Sequence, residues 1–307
     1  MIMKSTFIHA VVALDDSDAS DLIVDGLPHF KQFGTKKITL VTVVPVPFTG
    51  ERTEFKTDGY TERLNEYKTT LEKEGFTVDV DLRSGTYFYP PSEILESAKE
   101  NDADFVIIGS RGHSKVQEML LGSTATEVLH RSRLPVFLIN IDMQTSEDDP
   151  KKRKLVMNRS IKDSLKHVMH ATDFSETADR ALDVVRSLDS DGQIDKITFI
   201  HVQGHHAIAL KDPVSREALT DQNMKELEEM RNSLSDKTRD DSEIIITFGT
   251  PGKEIVQAIR DNNVTLAVMG SQGKGFVHEF FLGGVSSQVT RFSKVPVLLV
   301  PAERDDE

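Results

Sequence analysis

No cysteine occurs in the 307 residues, which excludes a disulfide scaffold, thiolate zinc sites, iron–sulfur clusters and a cysteine nucleophile. Long apolar runs are missing too. Stretches such as Phe105 to Ile108 and Val295 to Val300 fall far short of the roughly 20 residues that a membrane-spanning helix requires. Positive charge is the minority sign, with 37 basic against 50 acidic residues and a net charge of -13. Counterion release onto a polyanion is therefore a poor source of affinity. The expectation is a cytoplasmic protein with neither a membrane nor a nucleic acid as partner. Phe7 to Leu14 imitates a short signal-peptide core, but only Lys4 precedes it, and Asp15, Asp16 and Asp18 follow where small cleavage-site residues belong. It reads as a buried first strand.

What is present is a repeat. Phe105 to Ile139 matches Leu266 to Val300 without a gap at a constant offset of 161 residues. Upstream, Ala10 to Ser20 corresponds to Val168 to Ala178, and the strand beginning at Ile38 to the one at Ile197. A period this long means two whole domains rather than a solenoid of small units. The expected division is residues 1–145, a polar linker at 146–162, and residues 163–307. The basic run Lys151 to Lys154 faces an acidic run and reads as solvated linker.

Within each copy, short β-branched runs alternate with helical patterns, the signature of βαβ units on a parallel sheet. In the first copy strands are expected at His9 to Leu14, Ile38 to Val44, Phe76 to Leu82, Phe105 to Ile108 and Pro135 to Ile141, with one continuous helix over Ala19 to Phe33. The fold class is α/β: two tandem open five-stranded parallel sheets with helices on both faces. Ligands of such sheets bind beyond the carboxyl ends of the strands. Asp15 stands there after the first strand, where a carboxylate accepts from ribose hydroxyls or holds a magnesium ion. After the fourth strand come Gly109-Ser-Arg-Gly112, nine residues, then Gly122-Ser123-Thr124. Glycines let backbone approach phosphate oxygens, and the next helix N-terminus supplies amide donors. Thr124 and Glu127 have capping-box spacing. Arg111 is either a solvated loop side chain or a phosphate clamp. The second copy has Asp173, Gly270-Ser-Gln-Gly273, nine residues, then Gly283-Gly284-Val285. A lone glycine pair is a turn and a lone Asp a helix cap; their joint recurrence is the stronger signal.

These motifs resemble the universal stress protein family in its tandem form, and the likeness covers nearly the whole chain. Its G-x-x-G, nine residues, G-[ST] pattern marks the ATP-binding branch. The first copy fits it through Gly109, Gly112, Gly122 and Ser123; the second has Gly284 where the hydroxyl residue belongs. The resemblance implies a Rossmann-like, adenine nucleotide alpha hydrolase-like fold that holds ATP, ADP or AMP, with or without magnesium at Asp15. Adenine would lie on strand-two backbone at Val43 or Val202. Ribose would meet Asp15 or Asp173 together with Gly109 or Gly270. The remaining contacts would come from Leu14 and Thr172 beside the carboxylates, and from Arg111, Thr124, Val285 and Ser286 near phosphate. Binding in a stress-response or regulatory role is the expected function, ahead of weak ATP hydrolysis or phosphotransfer and of a scaffold with degenerate pockets. The resemblance also implies pairing of the two copies through Pro135 to Ile141 and Pro296 to Pro301, since an open sheet edge must be covered; a homodimer is a further option.

Other chemistry finds no support. There is no G-x-x-x-x-G-K-[ST] phosphate loop and no G-x-S-x-G nucleophile elbow. His201, His205 and His206 lack a carboxylate pair at metal-ligand spacing. Lys115 and Lys274 read as surface charges. Valine at Gly112 is expected to abolish triphosphate binding while leaving the fold intact.

Overall fold

Strand β1, His9–Leu14, is buried at all six positions, as a strand covered on both faces must be. Around it the first half of the chain winds α1 (Asp18–Gly26), β2 (Lys37–Pro45), α2 (Asp58–Lys73), β3 (Thr77–Gly85), α3 (Pro90–Glu100), β4 (Phe105–Gly109), α4 (Ser123–Arg131) and β5 (Val136–Ile139). The computed structural model describes residues 7–46, 57–112, 121–145, 153–190, 192–204, 213–274 and 282–303. Strand order in this half is β5-β4-β1-β2-β3, all pairs parallel. The order reverses between β1 and β4. Right-handed crossovers then place α1 and α2 on one face and α3 and α4 on the other.

The second half repeats the winding. Its elements are β8 (Val168–Ala171), α5 (Glu176–Asp189), β9 (Ile197–Gln203), α6 (Pro213–Asn232), α7 (Asp236–Asp240), β10 (Ser242–Phe248), α8 (Pro251–Asp261), β11 (Leu266–Gly270), α9 (Gly284–Phe292) and β12 (Val297–Val300). They follow a hairpin, β6 (Ile141–Thr145) with β7 (Arg153–Met157). The order is β10-β9-β8-β11-β12, again parallel, with the reversal between β8 and β11. No helix among the described residues is long and apolar enough to cross a membrane.

Three local expectations give way. The helix expected over Ala19 to Phe33 stops at Gly26 and continues as a 3-10 helix, Leu27–Phe33. Pro28 has no N–H to donate, and the tighter turn aims Phe30 and Phe33 at Phe137, ring centroids 4.8 and 5.5 Å apart. Part of the expected linker is strand β7, and the chain divides into two compact units at Ile161/Lys162. Gln32 Nε2 donates to the Ile161 carbonyl at 2.7 Å, so this stretch packs on the first unit; Lys151 and Lys152 lie outside the described residues. Finally, Thr124 and Glu127 form no capping box: the N-cap of α4 is Gly122.

Candidate functional site

Each switch point carries a cleft, and every site position expected in the first copy lines one of about 390 Å³. Those expected in the second line another of about 210 Å³. Strand β2 outruns β1: their ladder ends at Leu14 and Thr42, whereas β2 stays paired with β3 through Pro45. The second unit shows what this exposes. Thr172 N–H donates to the Ile200 carbonyl at 3.0 Å, the last rung of that ladder. Two residues on, the N–H and C=O of Val202 face the same way, past the end of β8, because backbone direction alternates along a strand. Val43 holds the same place in the first unit. The carbonyl where the chain leaves the first strand is covered from the neighbouring strand in both units: Thr42 Oγ1 of β2 donates to Leu14 O at 3.2 Å, and His201 Nδ1 of β9 to Thr172 O, just past β8, at 2.9 Å. Burial holds His201 below the ordinary histidine pKa, partly offset by that carbonyl.

Asp15 is gripped from its own loop. Its Oδ1 accepts from Ser17 N–H at 3.1 Å and from the Ser17 hydroxyl, while its N–H donates to Ser20 Oγ at 2.9 Å. On its far side lies the second glycine of the G-x-x-G. A Cβ built on Gly112 would stand closer to Asp15 Oδ2 than the 3.0 Å real Cβ atoms keep. Gly273 meets Asp173 Oδ2 in the same way. Asp173 also accepts from Ser175 N–H at 3.2 Å and Lys274 N–H at 2.7 Å. Each carboxylate thus bridges the loop after its first strand to the loop after its fourth.

The third glycine is fastened by a residue with no side-chain signal. Gly122 N–H donates to the Ser110 carbonyl at 2.9 Å, and Gly283 N–H to Ser271 O at 2.8 Å. Helices α4 and α9 start directly after, with Gly122 and Gly283 as N-caps. The amides of Ser123, Thr124 and Ala125, and of Gly284, Val285 and Ser286, have no partner within the helix by construction. Sequence reasoning missed Ser110 and Ser271 because their carbonyls, not their hydroxyls, close the loop. Ser17 and Ser20 were missed as well, although serine beside a carboxylate is a readable turn signal.

The copies differ in detail. Ser286 hydroxyl donates to the Gly270 carbonyl at 2.8 Å and is buried, so it cannot stand in for Ser123. Helix α9 begins at the same register as α4, so Gly284 takes the helix position of Ser123. Arg111 is not solvated: its side chain is 8% exposed, with Nη2 4.0 Å from Asp142 Oδ1 on β6. Next to Asp15, Asp16 pairs with Arg63 of α2 at 2.7 Å. The second unit has Phe174 there, stacked on His201 at 4.4 Å with Lys274 Nζ 5.5 Å from its ring centre. Lys274 is therefore part of the rim rather than a detached surface charge. Lys115, His205 and His206 lie outside the described residues. Among the described residues no group of three or more His, Asp or Glu is arranged to hold a metal.

A doubly wound parallel sheet with a carboxylate and two glycine turns gathered at its switch point defines the class, an α/β protein with this arrangement twice over. The particular family follows from likeness to known proteins. The sequence model of the universal stress protein family matches residues 7–140 and 164–301, and the chain belongs to that family as a tandem two-domain member. It is 30% identical over 157 residues to universal stress protein MJ0577 of Methanocaldococcus jannaschii, covering 44% of this chain and 94% of that one. Against universal stress protein Mb2028c of Mycobacterium bovis the identity is 22% over 237 residues, covering 76% and 74%. A crystal structure of a universal stress protein from Archaeoglobus fulgidus superposes with a TM-score of 0.67 at 26% identity, covering 98% of this chain and 99% of that one. Membership supports a role in the stress response.

Proposed function

We propose that both clefts take an adenine nucleotide, ATP, ADP or AMP, and that binding rather than turnover is the principal activity. The observation that carries this reading is the carboxylate wedged between the two loops, Asp15 on Gly112 and Asp173 on Gly273. It sets a carboxylate, the kind of group to which ribose hydroxyls donate, on the same cleft wall as the helix N-terminus that would meet phosphate. Beside it, the outward N–H and C=O at Val43 and Val202 form a donor–acceptor pair of the kind an adenine edge uses. Among the described residues Asp15 is the sole carboxylate on the first cleft's wall, so magnesium would enter with the phosphates rather than occupy a protein cage. In this reading the copies also pair through their final strands. Cross-linking of the two halves after cleavage between them tests that pairing, and free dissociation would contradict it.

Denaturing purified protein and identifying the released nucleotide by chromatography and mass tests the proposal. ATP, ADP or AMP supports it; protein that carries none and binds none on titration overturns it. Turnover of ATP at enzymatic rates would overturn the binding-first reading and favour a hydrolase or phosphotransferase.

Gly284 and the engaged Ser286 hydroxyl favour a weaker second site. One charge-assisted hydrogen bond is worth about 1.5–3 kcal/mol, so calorimetry of the full chain with ATP should resolve two affinities at least about tenfold apart. Among the described residues nothing lies within 4 Å of a Cβ built on Gly284. Gly284→Ser should therefore tighten the weaker site about tenfold without loss of stability. Equal affinities in the parent chain, or no gain in the variant, would contradict the ranking.

A further inference from the structure

The two copies also depart from each other between their third strand and the helix that follows. The second unit turns in Gly249-Thr250-Pro251; the first has Gly85-Thr86, then Tyr87-Phe88-Tyr89, then Pro90. An insertion of three consecutive aromatic residues stands in one copy alone, and it holds two of the four tyrosines of the chain. Its middle residue is an anchor. The Phe88 ring covers Gly85 so closely that a Cβ there would come within 2.8 Å of it. Phe88 N–H donates to the Gly85 carbonyl at 3.4 Å, and Val46 N–H to the same carbonyl at 3.0 Å. The insert is thus tied to the end of β2, three residues beyond Val43. The flanking rings point outward, Tyr87 at 86% exposure and Tyr89 at 50%. Tyr89 is the N-cap of α3, whose Pro90 and Ile94 line the first cleft.

We infer that Tyr87 and Tyr89 are a stacking clamp for the purine base at the rim of the first cleft. This rests on the nucleotide reading above and deepens it. A base seated on Val43 backbone has its edge read there and its faces left to apolar side chains. Tyrosine supplies a broad π-face with few rotamers to freeze, and base–aromatic stacking is favourable for any base. The cost of holding two rings in water is then offset when the ligand arrives. The second unit has no such insert: Phe248, 42% exposed, ends strand β10 itself, and Gly249-Thr250-Pro251 follows directly, so a base in the second cleft should be held less firmly.

The chain has no tryptophan, so tyrosine emission is its intrinsic fluorescence and stacking is read directly. Titrating the full chain with ATP should quench that emission. In Tyr87→Ala/Tyr89→Ala the tighter ATP site should weaken roughly tenfold and the quenching should be lost. The weaker site and the ligand-free thermal midpoint should be unchanged. Tyr87→Phe/Tyr89→Phe should restore the affinity, since stacking needs the ring and not the hydroxyl. ATP binding that is indifferent to the alanine pair overturns the clamp and leaves the nucleotide reading standing, with the exposed rings assigned to a macromolecular partner. Equal losses in the alanine and phenylalanine variants also overturn it. A parent chain that binds no ATP overturns both readings.

Discussion

Valine at Gly112 is expected to abolish nucleotide binding in the first unit and to lower its ligand-free stability by about 1–3 kcal/mol, the usual cost of forcing atoms into a filled site. The second half of that statement departs from what the motif alone suggests. A glycine in a phosphate loop invites the view that its hydrogen leaves room for the ligand, so that valine would spare the empty protein. The structure gives the glycine a different neighbour: a Cβ there runs into Asp15 Oδ2. Nor is the requirement conformational, because Gly112 is absent from the positive-φ glycines. Asp15 cannot swing away freely, since its other oxygen is held by Ser17 N–H and the Ser17 hydroxyl. The two residues should therefore be energetically coupled. A double-mutant cycle with Gly112→Ala and Asp15→Ala checks this, read as unfolding free energy of the full chain without ligand. Most of the cost of Gly112→Ala should vanish in the Asp15→Ala background, a coupling of about 1–2 kcal/mol. Additive effects would mean that the glycine serves something other than the carboxylate. Retained ATP stabilisation in Gly112→Val would place the phosphates on another loop.

The same pair shows how far residue types alone carry a reader. Asp15, Gly109 and Gly112 are legible as a ligand loop because they recur at Asp173, Gly270 and Gly273, and because Phe105 to Ile108 is apolar on both faces, as a central strand must be. The contact between Asp15 and Gly112 is not legible, since it depends on which two strands become neighbours across the reversal of order. Helix α1 misleads for a reason of period. Leu27, Phe30 and Phe33 recur every three residues, which suits a 3-10 turn as well as one side of an α-helix, and only Pro28 argues for the first. The T-x-x-E at Thr124 has the spacing of a cap. Helix α4 nonetheless starts where Ser110 pins Gly122, a backbone bond that any residue type would allow. Strands β6 and β7 carry mixed polar sequences, so that their pairing leaves no alternation to read.

The largest pH effect is expected in the core of the second unit, at a residue the ligand chemistry does not use. His170 sits on β8 where the first unit has Val12 on β1, and it is 0% exposed. Neither ring nitrogen has a hydrogen-bond partner among the described residues, and the Phe199 ring lies 6.0 Å away at 81°. Burial drives its pKa down to about 4; the Val268 backbone opposes this slightly and Arg186 reinforces it. The folded ring is therefore neutral across the range in which the unfolded one, near its ordinary 6.5, takes up a proton. Between those values the unfolded state binds more protons, so stability falls as pH falls. It is fully present above about pH 6.5, and about 3 kcal/mol of it is lost by pH 4, because each tenfold difference in proton affinity is worth about 1.4 kcal/mol. His167 and His201 are also held low by burial and act in the same sense, so the contribution of His170 has to be isolated by substitution. His170→Leu keeps the volume and removes both unpaired nitrogens. Hydrogen exchange of the β8 and β11 amides, followed from pH 4.5 to 7 in the full chain, reports opening of this sheet. The variant should be at least as stable as the parent at pH 7 and should lose much less protection in acid. Parallel losses in the two proteins would show that the ring finds a proton-tolerant environment in the fold, and that the acid sensitivity of this sheet originates elsewhere.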